Sequence, residues 1–273
     1  MTEDQDEAPT TPRRLPFIIA ATVTLVAAAV AGAVALDQAD SSTPTGAAPT
    51  PTPTATATPT ATPSATPTPA IIAYADCSTA TFGPALAALN APSNIHDYSA
   101  EPAMTIDTSE LYEATIVTAK GSIVLCLQPD LAPETVNNFV TLARNGFYNG
   151  IPFHRVTTIA ADGIAVLQGG DPDCIGNVPS APATPSGSCG KGGPGYTFDD
   201  EPVHEKYVEG AVAMANSGPN SNGSQFFICT ADDTADLALS YNLFGQVVSG
   251  QSVANSIVQG DVMETVTVAE QTG

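Results

Sequence analysis

The chain has 273 residues and a formal net charge of −21 at pH 7, from 28 Asp/Glu against seven Lys/Arg, and it contains no Trp. A field of that sign repels phosphate backbones and anionic lipid headgroups, so nucleic acid is not expected as a partner. Five Cys without a C-x-x-C spacing and only three His supply little for a zinc site, and no metal is expected.

Residues 1–14 form a tail that ends in Arg13-Arg14, and Leu15 to Leu36 is a run of 22 residues without a charge. That matches the roughly 20 residues needed to span a bilayer core, and the arginines before it place the tail in the cytoplasm. Residues 15–36 therefore read as a single-pass anchor in the cell membrane, with everything after them extracytoplasmic. A cleaved secretory signal is the alternative, since Ala31-Gly32-Ala33 and Ala33-Val34-Ala35 have the small-x-small form. The apolar run, however, exceeds the ~7–15 residues usual for such a signal. Residues 37–70 are dominated by Thr, Pro and Ala, and cannot bury enough apolar surface to offset the entropy of ordering. They read as an extended linker, with a Thr density that also suits an O-glycosylated stalk.

Residues 71–110 are a mixed N-terminal extension, in which Phe82, Leu86 and Leu89 at helical spacing predict a helix over 82–90, stopped before Pro92; a partly disordered extension of the linker is the alternative. Ala114 to Thr118 and Ser122 to Leu127 are rich in β-branched residues and flank Ala119-Lys120-Gly121, which predicts a hairpin. Pro133-Glu134-Thr135 opens a helix with Val136, Phe139, Val140 and Ala143 on one face and Gly146 as terminator. A second helix is predicted near Ser252 to Val258. Many short strands with two helices argue for a mainly β fold closed into a barrel, since closure removes free edges.

All five Cys lie on the side assigned to the exterior, where disulfides persist. Cys174 and Cys189 flank a Pro/Ser/Gly-rich insert with no evident structure of its own, so a bridge between them is the useful pairing. Cys77 with Cys126 is a possible second bridge, and Cys229 in an apolar strand reads as a buried thiol.

Three blocks carry the chemistry. Phe153-His154-Arg155-Val156 is followed by Gln168-Gly169-Gly170-Asp171, and then by Met214-Ala215-Asn216-Ser217-Gly218-Pro219 running on to Gln225-Phe226-Phe227-Ile228. In composition and order they resemble the catalytic blocks of the cyclophilins, over roughly residues 111–268. The resemblance implies a peptidyl-prolyl cis-trans isomerase domain over 111–273, with eight antiparallel strands in a closed barrel and a helix over each end. It also implies a monomer without cofactor, acting on proline-containing polypeptides, here exported proteins as they fold. A cyclophilin-like module that binds Pro-containing segments with little turnover is the alternative.

An X-Pro bond rotates over ~18–20 kcal/mol because the amide is conjugated, so catalysis needs no nucleophile. It needs a grip on the proline ring, hydrogen bonds to the peptide, and a donor that weakens amide resonance. A guanidinium, always charged and forked, suits the last role. On the cyclophilin pattern Arg155 is that donor, Phe227 the floor of the proline pocket, and Gln168 and Gln225 the amides that hold substrate and orient the arginine. Phe153 is expected beside the substrate and Gly190 where the substrate chain passes closely. Ala215, Asn216 and Ser217 form the edge that holds the peptide through backbone groups, with Ser217 where the family more often has Ala. His154 is expected to be structural, its ring hydrogen-bonded inside the fold. The chain departs from the pattern between Arg155 and Gln168, where Val156 to Leu167 is longer than the common spacing; Ile164 and Val166 are the candidates to line the pocket. With no Trp, Leu237 and Tyr241 are the residues left to close it. Gly190-Lys191-Gly192 lacks the Ser/Thr of a phosphate-binding loop, and no Gly-x-Ser-x-Gly elbow surrounds Ser224.

Overall fold

The structure, a computed structural model, describes residues 73–177 and 187–273. The anchor at 15–36 and the linker at 37–70 fall outside the described residues, as does 178–186 of the insert. Among the described residues no helix is long and apolar enough to cross a membrane.

The expected hairpin is present as β1 (Tyr112–Thr118) and β2 (Gly121–Leu127), paired antiparallel from Tyr112↔Leu127 to Thr118↔Gly121. β1 alternates buried and half-buried residues, the period-2 signature of a sheet with one face in the core. Helix α1 (Pro133–Arg144) follows, with Pro at its start, where a missing N–H costs nothing. Its first turn is capped from afar: the Glu201 carboxylate accepts from the N–H groups of Glu134 and Thr135 at 3.0 and 2.8 Å. β3 (Arg155–Val156), a single helical turn α2 (Ile159–Asp162) and β4 (Val166–Gly169) come next. β5 (Ala211–Met214), β6 (Phe226–Cys229), β7 (Leu243–Ser249), a second helical turn α3 (Gln251–Ala254) and β8 (Thr265–Glu270) complete the order.

The strands form one antiparallel sheet in the order β3-β4-β6-β5-β7-β2-β1-β8. The expected closed barrel becomes a curled eight-stranded sheet whose end strands β3 and β8 do not pair as strands. The segments just before them are laced instead. Pro152 bridges Val262, and Gly150 N–H donates to Met263 O at 2.7 Å and Phe153 N–H to Asp261 O at 2.8 Å. The second predicted helix is shorter and earlier than expected. After Ala254 the chain leaves the helix to bury Ile257 and expose Val258, whose N–H is taken by the Asp261 carboxylate at 2.7 Å.

α1 packs its apolar face on the sheet. Phe139 stacks on Tyr148 with ring centres 4.9 Å apart and meets Phe226 edge-on at 5.4 Å, and Phe244 lies beside it at 5.5 Å. A smaller apolar cluster that includes Val166, Tyr207, Phe227 and Leu243 lies apart from this core.

The helix predicted over 82–90 is absent. Residues 73–110 run as an irregular strap whose only helical piece is a 3-10 turn at Cys77–Thr79. Gly83 and Leu86 donate from their N–H groups to Glu270 O and Val268 O at 2.9 and 2.7 Å, so the strap lies along the outer edge of β8. Unpaired carbonyls on that edge offer this segment more than a short helix of its own would. The strap then crosses the end of α1, where Arg144 donates to Ala87 O and Leu89 N–H to Asn145, and returns along it through Thr105 and Asn137. Its start is fastened by a Cys77–Cys126 disulfide. Cys174 and Cys189 are also bonded, and Cys229 is a buried free thiol.

Candidate active site

β3 and β4 pair Arg155 opposite Gln168, and β4 and β6 pair Gln168 opposite Phe227, so three residues from separate blocks share one stretch of sheet. Arg155 is exposed and donates through Nη1 to Gln168 Oε1 at 3.2 Å; Gln168 Nε2 donates to Gln225 Oε1 at 3.0 Å. Gln225 Nε2 in turn donates to Gly192 O at 2.8 Å. A guanidinium is thus tied, through two amides, to the glycine-rich segment across the groove.

Beside Arg155 lies a cavity of about 100 Å³. Phe227 is its apolar side, 4 % exposed and braced by Tyr241 edge-on at 5.5 Å. Phe226, its neighbour in the strand, points into the main core, as period-2 alternation requires. Ile164, Val166, Leu237 and Tyr241 all line this cavity with Gln168, Ala215 and Asn216. The long connection reaches it because α2 folds back, with Thr157 Oγ1 accepting from Val166 N–H at 2.9 Å.

A larger cavity of about 590 Å³ adjoins it, sharing Gln168, Ala215 and Asn216. Its walls are the segment from Gly190 to Thr197 on one side and Ser217, Ser221 and Gly223 to Gln225 on the other. Asn216 is steadied by its Nδ2 donating to Ser240 O at 2.8 Å, and Ser217 N–H donates to Ser221 Oγ at 2.8 Å. Phe153, expected beside the substrate, is instead fully buried in the main core and lines neither cavity. Its ring lies against the backbone of Gly169, so its part is to support β4.

His154 is 2 % exposed, with the Gln225 side chain beside its ring, although neither ring nitrogen has a well-aligned hydrogen-bond partner. Burial, with a smaller push from Arg155, holds its pKa below the ordinary histidine range despite the opposing Asp171 carboxylate. The ring is neutral and structural.

Two residues escaped the sequence reading. Asp171 is fully buried, and its carboxylate accepts from Gly190 N–H at 2.5 Å, Gly192 N–H at 3.0 Å, Asp173 N–H at 2.8 Å and Gln225 Nε2 at 3.3 Å. A Cβ on Gly192 would collide with that carboxylate, so glycine is required there. Tyr207 is the second: its hydroxyl donates to Tyr241 O at 2.8 Å and accepts from Tyr241 N–H at 3.0 Å, which holds Tyr241 over the small cavity. Burial pushes the Tyr207 hydroxyl up to about 12, so it stays protonated. Asp171 closes the Gln168–Asp171 block but had no role assigned, and Tyr207 lies in no motif; apart from Asp173, their partners are distant in sequence. Among the described residues no group of three or more His, Cys, Asp or Glu is placed to hold a metal ion.

Comparison with known proteins bears on the family. The family model described as cyclophilin type peptidyl-prolyl cis-trans isomerase/CLD matches residues 113–272. A peptidyl-prolyl cis-trans isomerase of Helicobacter pylori is 43 % identical over 157 residues, covering 56 % of this chain and 84 % of that protein. A putative peptidyl-prolyl cis-trans isomerase of Staphylococcus saprophyticus is 43 % identical over 124 residues, covering 45 % of this chain and 55 % of that one. Among solved structures, a cyclophilin type isomerase of Cryptosporidium parvum is 27 % identical, with a TM-score of 0.48, covering 58 % of this chain and 97 % of that one.

Proposed function

The chain belongs to the cyclophilin-type peptidyl-prolyl cis-trans isomerase family and is an isomerase of that type, and from that premise we propose that it works as a monomer tethered outside the cytoplasmic membrane on exported proteins as they fold. The uncharged run at 15–36 behind Arg13-Arg14 supports the tether, and the Thr/Pro-rich 37–70 supplies reach. Two disulfides in the described domain suit an oxidising compartment.

The observation that carries the mechanism is the Arg155–Gln168–Gln225 chain of hydrogen bonds at the mouth of a small cavity walled by Phe227. In this reading the proline ring enters the cavity against Phe227, Ile164, Val166, Leu237 and Tyr241. Ala215, Asn216 and Ser217 hold the peptide backbone before it, and Gly190 lets the chain pass. Gln168 uses one guanidinium donor of Arg155, fixing the fork while other N–H groups remain for the prolyl nitrogen. A hydrogen bond there favours a pyramidal nitrogen, removes amide conjugation in the twisted state, and lowers the rotational barrier without a covalent step.

Arg155→Ala should lower kcat/KM for cis-trans exchange of a short Xaa-Pro peptide by at least roughly tenfold, or ~1.4 kcal/mol. Unchanged turnover would remove Arg155 from the mechanism. For the tether, protease added outside intact cells that express the full chain should release an active fragment close to 71–273; a protected domain would overturn the location.

A further inference from the structure

The strap of residues 73–110 precedes the family match, which begins at residue 113, yet it touches the wall of the larger cavity. Tyr98 N–H donates to Pro194 O at 2.7 Å, and the Tyr98 ring meets the Tyr196 ring edge-on at 6.3 Å. Gly195 has φ +97, and a Cβ on it would collide with the Tyr98 carbonyl, so the two backbones lie directly against each other. Pro194, Gly195 and Tyr196 all line the cavity.

Tyr98 is itself held from behind. Its hydroxyl accepts from Asn145 Nδ2 at 3.1 Å, its ring lies 6.4 Å from Phe147, and His96 Nε2 shares a hydrogen bond with Phe147 O at 2.8 Å. Asn145 and Phe147 immediately follow α1, so Tyr98 links the end of the domain's one long helix to the groove wall. That wall belongs to no strand and is rich in Gly, the residue with the most backbone freedom to lose. Inside the family domain it is held at one end by Asp171, through Gly190 and Gly192, and by Tyr196 donating to Asn138. The stretch between, at Pro194 and Gly195, is where the strap bears on it.

We propose that Tyr98 is a positioning residue that sets the shape of the Gly190–Tyr196 wall, and with it the affinity for substrate residues that extend beyond the proline pocket. The inference rests on the isomerase activity of the groove. Tyr98 touches no reacting atom and acts through the wall. Its influence falls equally on ground state and transition state, which makes it an effect on KM with kcat spared.

The test uses the full chain with Tyr98→Ala, Tyr98→Leu and Tyr98→Phe, and two substrates: a short peptide that fills little more than the proline pocket, and a longer one that crosses the larger cavity. Tyr98→Ala should raise KM for the longer peptide by about fivefold or more with kcat within about twofold, and leave the short peptide nearly unaffected. Tyr98→Phe, which keeps the ring, should restore KM. Amide exchange should quicken at residues 190–196 with the sheet unchanged. Should Tyr98→Ala fail to fold, Tyr98→Leu, which keeps bulk against Phe147 and loses the edge contact with Tyr196, must show the same split. A folded Ala or Leu variant with wild-type KM for the longer peptide overturns the proposal, as does a proportional loss on both peptides. Either result leaves the Arg155 mechanism standing, because that is judged by Arg155→Ala alone.

Discussion

Replacing Asp171 by Asn tests whether one buried carboxylate organises the groove. The four donors that converge on it leave no room for a donor in return: Oδ2 takes Gly190 N–H, Gly192 N–H and Gln225 Nε2, and Oδ1 takes Asp173 N–H. An amide keeps one oxygen. Its less costly orientation leaves that oxygen on the Gly190 side and turns the NH2 against the N–H of Asp173. One charge-assisted bond is then lost outright, worth ~1.5–3 kcal/mol, and the others become neutral. A loss of about 2–3 kcal/mol follows, which for a domain of this size lowers Tm by roughly 4–12 °C. The kinetic effect spreads along the same bonds, because a slack Gly190–Gly192 wall releases Gln225, and Gln225 steadies Gln168 beneath Arg155. KM should rise by roughly three- to tenfold, with a smaller fall in kcat. Thermal melts and exchange assays on the same preparation read both. A Tm and a KM both at wild-type values would refute the reasoning, since no buried acceptor for four donors can be exchanged without cost.

Two further outcomes follow from the described geometry. Removing the bridge that spans a sequence separation of 15 residues, with Cys174→Ser and Cys189→Ser together, should cost ~3 kcal/mol on the chain-entropy scale and raise KM more than it lowers kcat, the sheet remaining folded; a fall in kcat at constant KM would contradict it. For His154 the sign runs one way: burial depresses the folded pKa, so the unfolded chain binds more protons once the pH approaches about 6.5, and the stability the neutral ring allows is lost as pH falls toward the folded value. Melts of the wild type and of His154→Leu between about pH 7.5 and about pH 5.5 should therefore converge in the acid, because only the wild type pays for protonation; parallel curves would show that the ring does not titrate in this window.

How far the sequence could be read depended on how local each cause was. Helix α1 was legible because its apolar face, its opening Pro133 and its closing Gly146 lie within fifteen or so consecutive residues. Strand alternation requires Phe226 and Phe227 to face opposite ways and the cyclophilin pattern said which of them faces the cavity, while Ile164 and Val166 were picked as bulky residues ahead of Gln168. Phe153 was misjudged because membership of the Arg155 block was read as shared function, whereas it precedes β3 and its ring turns into the main core against Gly169. The spacing of Phe82, Leu86 and Leu89 suggested a helix, but Gly83-Pro84 interrupts it and the carbonyls of β8 claim the backbone instead. Asp171 was in view as part of a motif, but nothing local told that its partners would be glycines about twenty residues further on.

The strap along β8 also bears on what this protein does with extended peptides. A sheet that ends on an unguarded strand offers its carbonyls and N–H groups to any extended polypeptide, and an isomerase that binds proline-containing peptides is exposed to that pairing. Here Gly83 and Leu86 already occupy the acceptors of Glu270 and Val268, and Thr272 N–H is taken by Thr81 O at 2.8 Å. The Cys77–Cys126 bond keeps this guard from peeling away at its start. A version cut at the family boundary, beginning at residue 113, would keep Arg155, Gln168 and Phe227 but lose the Tyr98 contact on the groove wall and bare that border, and extended polypeptides would then add to the enzyme as strands when they should only pass through it as substrates.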